Sequence, residues 1–264
     1  MPSTTFQQKR IWITGASSGI GEALAYAFHK TGAKLILSAR REEELKRIQG
    51  QCGGESCTRI LPLDLTRAEE LPDKTRLALS MFDGIDILVQ NAGITQRSLV
   101  KDTDPAVYRT LMELNYFAPV ALTKAVLPSM LEKKSGHFVV ISSLVGKFGT
   151  PLRSGYAASK HALHGFFDSL RAEEAREGIH VTMVCPGFIR TDISLHALAG
   201  DGSKHGKMDK GQAKGMPVEQ CAAEILHGVA SRKQEIYVAG NDKYLVYMKR
   251  FFPGIFSRMV ARSV

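Results

Sequence analysis

The sequence predicts an α/β protein: one domain, built as a doubly wound parallel sheet of about seven strands in a three-layer αβα arrangement. Three observations predict it. At 264 residues the chain suits one α/β unit better than two small domains. Short runs rich in Ile, Val and Leu alternate with longer amphipathic segments, and near-continuous apolar strands belong to a sheet covered on both faces. The hydrophobic share of 44% and charged share of 23% match an average globular domain, so a sizeable core can form.

The elements follow in order. Residues 10–14 (RIWIT) read as a buried strand, 19–30 as a helix and 34–39 (KLILSA) as a second strand. Residues 42–51 read as helix, 58–63 as a third strand, 67–82 as helix and 86–90 (DILVQ) as a fourth strand. One long helical stretch, 105–131, leads to the strand 136–142 (GHFVVIS). A helix over 154–177 leads to the strand 180–185 (HVTMVC), and helix 218–231 with strand 235–238 completes the alternation. Right-handed crossovers then wind the sheet on both faces. No internal repeat or linker divides residues 1–264. Two stretches break the rhythm. Residues 195–217 are rich in Gly and Lys and are predicted to be mobile. Residues 241–264 carry aromatics and five basic residues (Lys243, Lys249, Arg250, Arg258, Arg262) against one acid, Asp242.

The formal net charge is +9. Nucleic acid, an anionic membrane or an anionic cofactor would each suit it. No helix-turn-helix, RRM or zinc pattern accompanies the charge, which argues against nucleic acid. Cys52, Cys57, Cys185 and Cys221 lack metal-ligand spacing, so no metal site is expected and four free thiols in a reducing compartment are. The first residues, MPSTTFQQKR, have no apolar core of a secretory signal, and no run of ~18 apolar residues exists to span a membrane. The expectation is a cytoplasmic protein.

After the first strand comes Thr14-Gly15-Ala16-Ser17-Ser18-Gly19-Ile20-Gly21. Strand, glycines, helix is the context a pyrophosphate needs. Gly15 permits the sharp turn, Gly19 lets backbone approach the phosphates, and Gly21 lets the helix pack closely. Ser17, Ser18 and Ile20 complete the turn, and the helix N-terminus offers free N–H groups. The second strand ends Ser38-Ala39-Arg40-Arg41. An NAD site usually places an acid there for the ribose hydroxyls. Here Arg40 suits the 2′-phosphate of NADP(H), with Arg41 in support; cations at a helix start otherwise oppose its dipole.

Tyr156 and Lys160 are four residues apart on a predicted helix and share a face. A phenol is a weak acid–base group at neutral pH, and a neighbouring ammonium favours its ionised form. The spacing alone is weak evidence.

Together with the glycine turn, three further motifs give Tyr156-x-x-x-Lys160 its meaning. These are Asn91-Ala92-Gly93 after the fourth strand, Ser142-Ser143 after the fifth, and Pro186-Gly187 with Thr191 after the sixth. In this combination, from about Arg10 to Val238, the chain resembles the short-chain dehydrogenase/reductase family. The resemblance implies a Rossmann fold and a set of roles. Ser143 would polarise a substrate carbonyl, Tyr156 would transfer the proton, and Lys160 would hold the nicotinamide ribose and depress the tyrosine pKa. Asn115 would help hold a water for proton relay. Asp64 and Leu65 would contact adenine, and Asn91, Ala92 and Gly93 would line the adenosine ribose. Pro186, Gly187, Ile189 and Thr191 would reach the carboxamide and pyrophosphate. Many members carry Asn-Asn-Ala-Gly where this chain has Gln90-Asn91-Ala92-Gly93, which puts one supporting hydrogen bond in doubt.

The resemblance also places residues 195–217 over the substrate, and a solvated flexible loop with no substrate role reads equally well. Leu144, Val145, Phe148, Phe188 and Leu195 are candidate pocket walls, each also explained by ordinary core packing. It implies a homodimer or homotetramer. The tail, 241–264, has two readings: docking on a neighbouring subunit or peripheral contact with an anionic membrane. The expected function is hydride transfer between NADP(H) and a small-molecule carbonyl or secondary alcohol. The alternative is an NADP-binding sensor or scaffold without turnover.

Overall fold

The computed structural model describes residues 5–262. Seven strands form one parallel sheet in the order β3-β2-β1-β4-β5-β6-β7. They are β1 (Arg10–Thr14), β2 (Lys34–Ser38), β3 (Thr58–Ile60), β4 (Ile87–Gln90), β5 (Gly136–Ile141), β6 (Ile179–Pro186) and β7 (Glu235–Val238). The helices are α1 (Gly19–His29), α2 (Glu42–Gln51), α3 (Leu71–Met81), α4 (Pro105–Met112), α5 (Ala118–Glu132), α6 (Ser154–Glu173), α7 (Lys210–Ala213), α8 (Val218–Ala230), α9 (Tyr244–Phe251) and α10 (Pro253–Ala261). This is the doubly wound, three-layer arrangement that the alternation predicts.

Strand β1 shows why both faces are covered. Its side chains alternate across the sheet. Ile11 and Ile13 pack into one layer with Leu24 and Phe28 of α1, Leu45 and Ile48 of α2, and Ile225 of α8. Trp12 packs into the other with Leu122 and Val126 of α5 and Leu163 and Phe167 of α6. Trp12 is fully buried, and its indole N–H donates to Ser38 Oγ at 2.8 Å, so no polar atom of the ring is stranded.

Several boundaries move. Strand β3 stops at Ile60, although Leu61 and Leu63 still donate to Leu37 and Ala39 of the β2 side. Helix α6 ends at Glu173. The larger difference lies in 105–131. The single predicted helix is split into α4 and α5 by a π-helical turn, Glu113–Phe117, with Asn115 at its centre. Pro119 supplies a reason. It lacks the N–H that would reach the Asn115 carbonyl four residues back, so regular α bonding fails there.

Residues 195–217 are tied down at intervals. Leu198 bridges to Gln96, Met216 bridges to Ile189, and α7 lies between them. No helix among the described residues is long and apolar enough to cross a membrane. All four cysteines are free thiols. The chain order reverses between β1 and β4, and the crevice above their carboxyl ends is where open α/β sheets bind ligands.

Candidate active site

The glycine turn sits at the mouth of that crevice. Gly15 has φ +65° and Gly19 φ +58°, a region that L side chains rarely adopt. A Cβ on Gly15 would lie 2.7 Å from the Ala92 Cα, and one on Gly21 would lie 2.2 Å from the Gly15 carbonyl oxygen. Ser18 precedes α1 without a side-chain cap bond, leaving the first-turn N–H groups for a ligand. Asn91 ties β4 to this turn by donating from Nδ2 to the carbonyls of Thr14 (3.1 Å) and Gly15 (3.0 Å). Gln90 takes a different path, donating to Thr123 of α5 at 2.6 Å inside the core. A cradle of this shape fits the pyrophosphate of a dinucleotide. Gly21→Ala is expected to lower nicotinamide-dinucleotide affinity at least about tenfold and to lower the melting temperature, because the added methyl meets the Gly15 carbonyl and must push the turn open. Titration of cofactor binding checks this, and unchanged affinity would contradict it.

The remaining cofactor candidates line the same crevice. Arg41 lies over the turn, with Nη2 3.2 Å from the Ser17 carbonyl and 3.1 Å from its Oγ. Arg40 is exposed beside Asp64. Burial pushes the Asp64 carboxyl up, but the Thr66 hydrogen bonds and the Arg40 charge outweigh it and hold the carboxyl below its usual range. Leu65 is buried next to it. Across the crevice, Thr191 approaches Gly19, its Cγ2 3.1 Å from where a Cβ would stand. Gln212 of α7 donates to Thr191 Oγ1 (3.0 Å) and to the Ile189 carbonyl. Gly187 donates to the Val238 carbonyl (3.0 Å) at the end of β7, next to Pro186.

Ser143, Tyr156, Lys160 and Asn115 meet deeper in. Ser142 and Ser143 leave β5 in opposite directions. Ser142 Oγ is 3.0 Å from His164 Nε2, inside the core, whereas Ser143 partners the Tyr156 phenol. Lys160 Nζ donates to the Ile141 carbonyl at 2.8 Å and lies 5.8 Å from the Tyr156 ring centroid. Its burial lowers its pKa to about 8. Asn115 is fully buried. Its Oδ1 accepts from the Ile94 N–H (2.9 Å), and its Nδ2 donates to the Ile94 carbonyl (2.9 Å) and to Ser159 Oγ (3.0 Å). Gly93 stands between the two groups: a Cβ there would be 3.1 Å from Asn115 Oδ1 and 3.5 Å from Lys160 Nζ.

Burial raises the Tyr156 pKa, and the Ser143 hydrogen bond with the charges of Arg97 and Arg153 opposes the rise. Sequence reasoning named neither arginine. Both hold Asp209 of the 195–217 segment. Arg97 reaches it through Nε (2.9 Å) and Nη2 (2.5 Å), and Arg153 through Nη2 (3.0 Å). Two guanidiniums share one carboxylate beside the phenol, an excess of one positive charge. Asp209→Asn removes the compensating charge. The Tyr156 limb of the pH–rate profile is expected to move down by about one unit, because an uncompensated cation favours the phenolate. An unmoved or rising limb would contradict the electrostatic link.

The pocket walls divide. Leu144 and Phe148 are buried against Phe256 of α10, so they serve the core and not the pocket. Phe188 is 40% exposed and lies against Gly211 in the covering segment.

Comparisons agree with this geometry. A family profile described as "short chain dehydrogenase" matches residues 9–200. "Dehydrogenase/reductase SDR family protein 7-like" of Drosophila melanogaster is 42% identical over 260 residues, covering 96% of this chain and 80% of that protein. "Dehydrogenase/reductase SDR family member 7B" of Xenopus tropicalis is 43% identical over 266 residues, covering 97% and 86%. A short-chain dehydrogenase from Streptomyces avermitilis superposes with TM-score 0.82 at 28% identity, covering 97% of this chain and 99% of that one. A Burkholderia phymatum short chain dehydrogenase/reductase crystallised with NAD shares the fold, with TM-score 0.83 at 21% identity, covering 95% and 96%. The chain belongs to the short-chain dehydrogenase/reductase family, oxidoreductases that bind a nicotinamide cofactor.

Proposed function

We propose that the protein is an NADP(H)-dependent oxidoreductase acting on a small-molecule carbonyl or secondary alcohol, with Tyr156 as general acid and base. The observation that carries this reading is the convergence of Ser143, Tyr156, Lys160 and Asn115 at the inner end of the dinucleotide cradle. A bound nicotinamide supplies or accepts the hydride. In reduction, Ser143 Oγ hydrogen-bonds the carbonyl oxygen and polarises it. Tyr156 gives its proton to that oxygen as the alcohol forms, and oxidation reverses the transfer. Lys160 holds the ribose hydroxyls. Asn115, at the centre of the π turn, holds the water through which the proton is replaced.

The NADP part rests on Arg40 and Arg41 where an acid would favour NAD, with Ala39 before them. Residues 195–217 act as a substrate cover, latched by Asp209 on Arg97 and Arg153. Assembly into a homodimer or homotetramer is inferred from the family, whose members typically oligomerise. The free thiols suit the cytoplasm.

The test is NADPH consumption by the purified protein against a panel of carbonyl compounds. Turnover that needs NADPH bears the reading out. Tight NADP binding with no turnover across the panel, together with a stable protein partner in pull-downs, would replace it with a sensing or scaffold role.

A further inference from the structure

Helices α9 and α10 each present an outer face that stays largely exposed among the described residues. Along α9 the exposed side chains are Tyr244, Tyr247 and Phe251, spaced three and four apart and therefore on one face. Phe252 follows at the break before Pro253, and Ile255 and Met259, four residues apart, share an exposed face of α10. Phe251 is 68% exposed, and Phe252 and Ile255 are each 60% exposed. The inner faces are ordinary packing: Leu245, Val246 and Met248 of α9 and Phe256 of α10 join Leu144, Phe148 and Cys185. Phe256 stacks edge-on against Phe148 with centroids 5.2 Å apart. The helices are thus anchored by one side while six large apolar side chains face outward.

The charge that α9 and α10 themselves carry has one sign, whereas Glu224 and Glu235 stand beside Tyr244 and Tyr247 at the far end of α9. Lys249 and Arg250 of α9, Arg258 of α10 and Arg262 at its C-cap are exposed, with the Lys249 ammonium 5.8 Å from the Phe256 ring centroid, and no acid lies between Lys243 and Arg262 in the sequence. Six exposed large apolar side chains within sixteen residues of chain are more than scattered surface hydrophobics and mark an interaction surface. Two occupants suit the shape, and charge separates them. A second copy meeting this face across a two-fold axis would bring four cations against four more. An anionic lipid surface complements them and accepts the aromatic and aliphatic side chains at its headgroup boundary.

We propose that α9 and α10 dock the protein on an anionic membrane surface, with Phe251, Phe252 and Ile255 inserted and Lys249, Arg250, Arg258 and Arg262 on the headgroups. Leu144 and Val145, which follow Ser143, pack beneath these helices. The docked side therefore adjoins the candidate active site, a consequence that rests on the reading of that site given above.

The full chain is sedimented with vesicles of phosphatidylcholine mixed with phosphatidylserine, and with vesicles of phosphatidylcholine alone. Binding is expected to the mixed vesicles, weakening with added salt. In the triple variant F251S/F252S/I255S the partition should fall at least about tenfold, and Lys249→Gln or Arg258→Gln should lower it about fivefold each. All substituted side chains are exposed, so folding is spared, and a circular dichroism melt verifies that. The proposal is overturned if the wild type stays off the mixed vesicles or if the triple variant binds as well as the wild type. It is equally overturned if the triple substitution abolishes self-association, which would make a second copy the occupant. Sedimentation reads docking alone, so failure of the oxidoreductase reading would leave this result standing.

Discussion

Tyr156→Phe is expected to lower kcat about 10²- to 10⁴-fold, the usual contribution of a positioned acid–base group, while cofactor affinity stays within about twofold of the wild type. The substitution removes one oxygen and keeps the ring. Lys160 stays on the Ile141 carbonyl and Asn115 on the Ile94 backbone, bonds that do not use the phenol. The loss should therefore fall on the chemical step. The pH dependence should change with it. Burial raises the Tyr156 pKa, whereas Ser143, Arg97 and Arg153 pull it back. In the reductive direction the protonated phenol is the active form, so the wild-type rate falls as pH rises through that pKa. The variant's residual rate should lack that limb. Full turnover by Tyr156→Phe would remove the proposed proton donor.

Arg40→Ala is expected to weaken NADPH binding about 10- to 100-fold, the loss of a charge-assisted bond to a phosphate. NADH binding should stay nearly unchanged. The contrast between the two cofactors matters because Arg40 is exposed and its removal leaves no cavity. Arg41→Ala should affect both cofactors, since Arg41 bonds to Ser17 in the shared pyrophosphate turn. If Arg40→Ala keeps its NADPH preference while Arg41→Ala loses it, the 2′-phosphate belongs to Arg41. Parallel titrations of both dinucleotides decide this.

The sheet was legible because its strands are buried on both faces and read as apolar runs; β1 and β7 fall at the bounds the sequence predicts. The crevice residues were legible as a group because each follows a strand end, where the architecture places them. The π turn at Asn115 was not, since Glu113–Phe117 carries helix-compatible residues and no glycine. The signal lay at Pro119, whose missing N–H frees the carbonyl four residues earlier. Arg97, Arg153 and Asp209 were illegible for another reason. Asp209 is 112 residues from Arg97 and 56 from Arg153, and it stands in a Gly- and Lys-rich stretch that reads as solvated loop. Only the folded chain brings them together. The pocket walls misled because Leu144 and Phe148 are as apolar as a pocket requires, yet α10 covers them.

In the proposed function, hydride passes directly from NADPH to a carbonyl carbon and the proton comes from Tyr156. The most direct test uses NADPH carrying deuterium at the transferable position of the nicotinamide ring, with a carbonyl the protein reduces. One deuterium is expected on the carbinol carbon of the product, delivered to a single face, and none on its oxygen after exchange with water. Product alcohol without deuterium at carbon, or formed equally in the absence of NADPH, would contradict it.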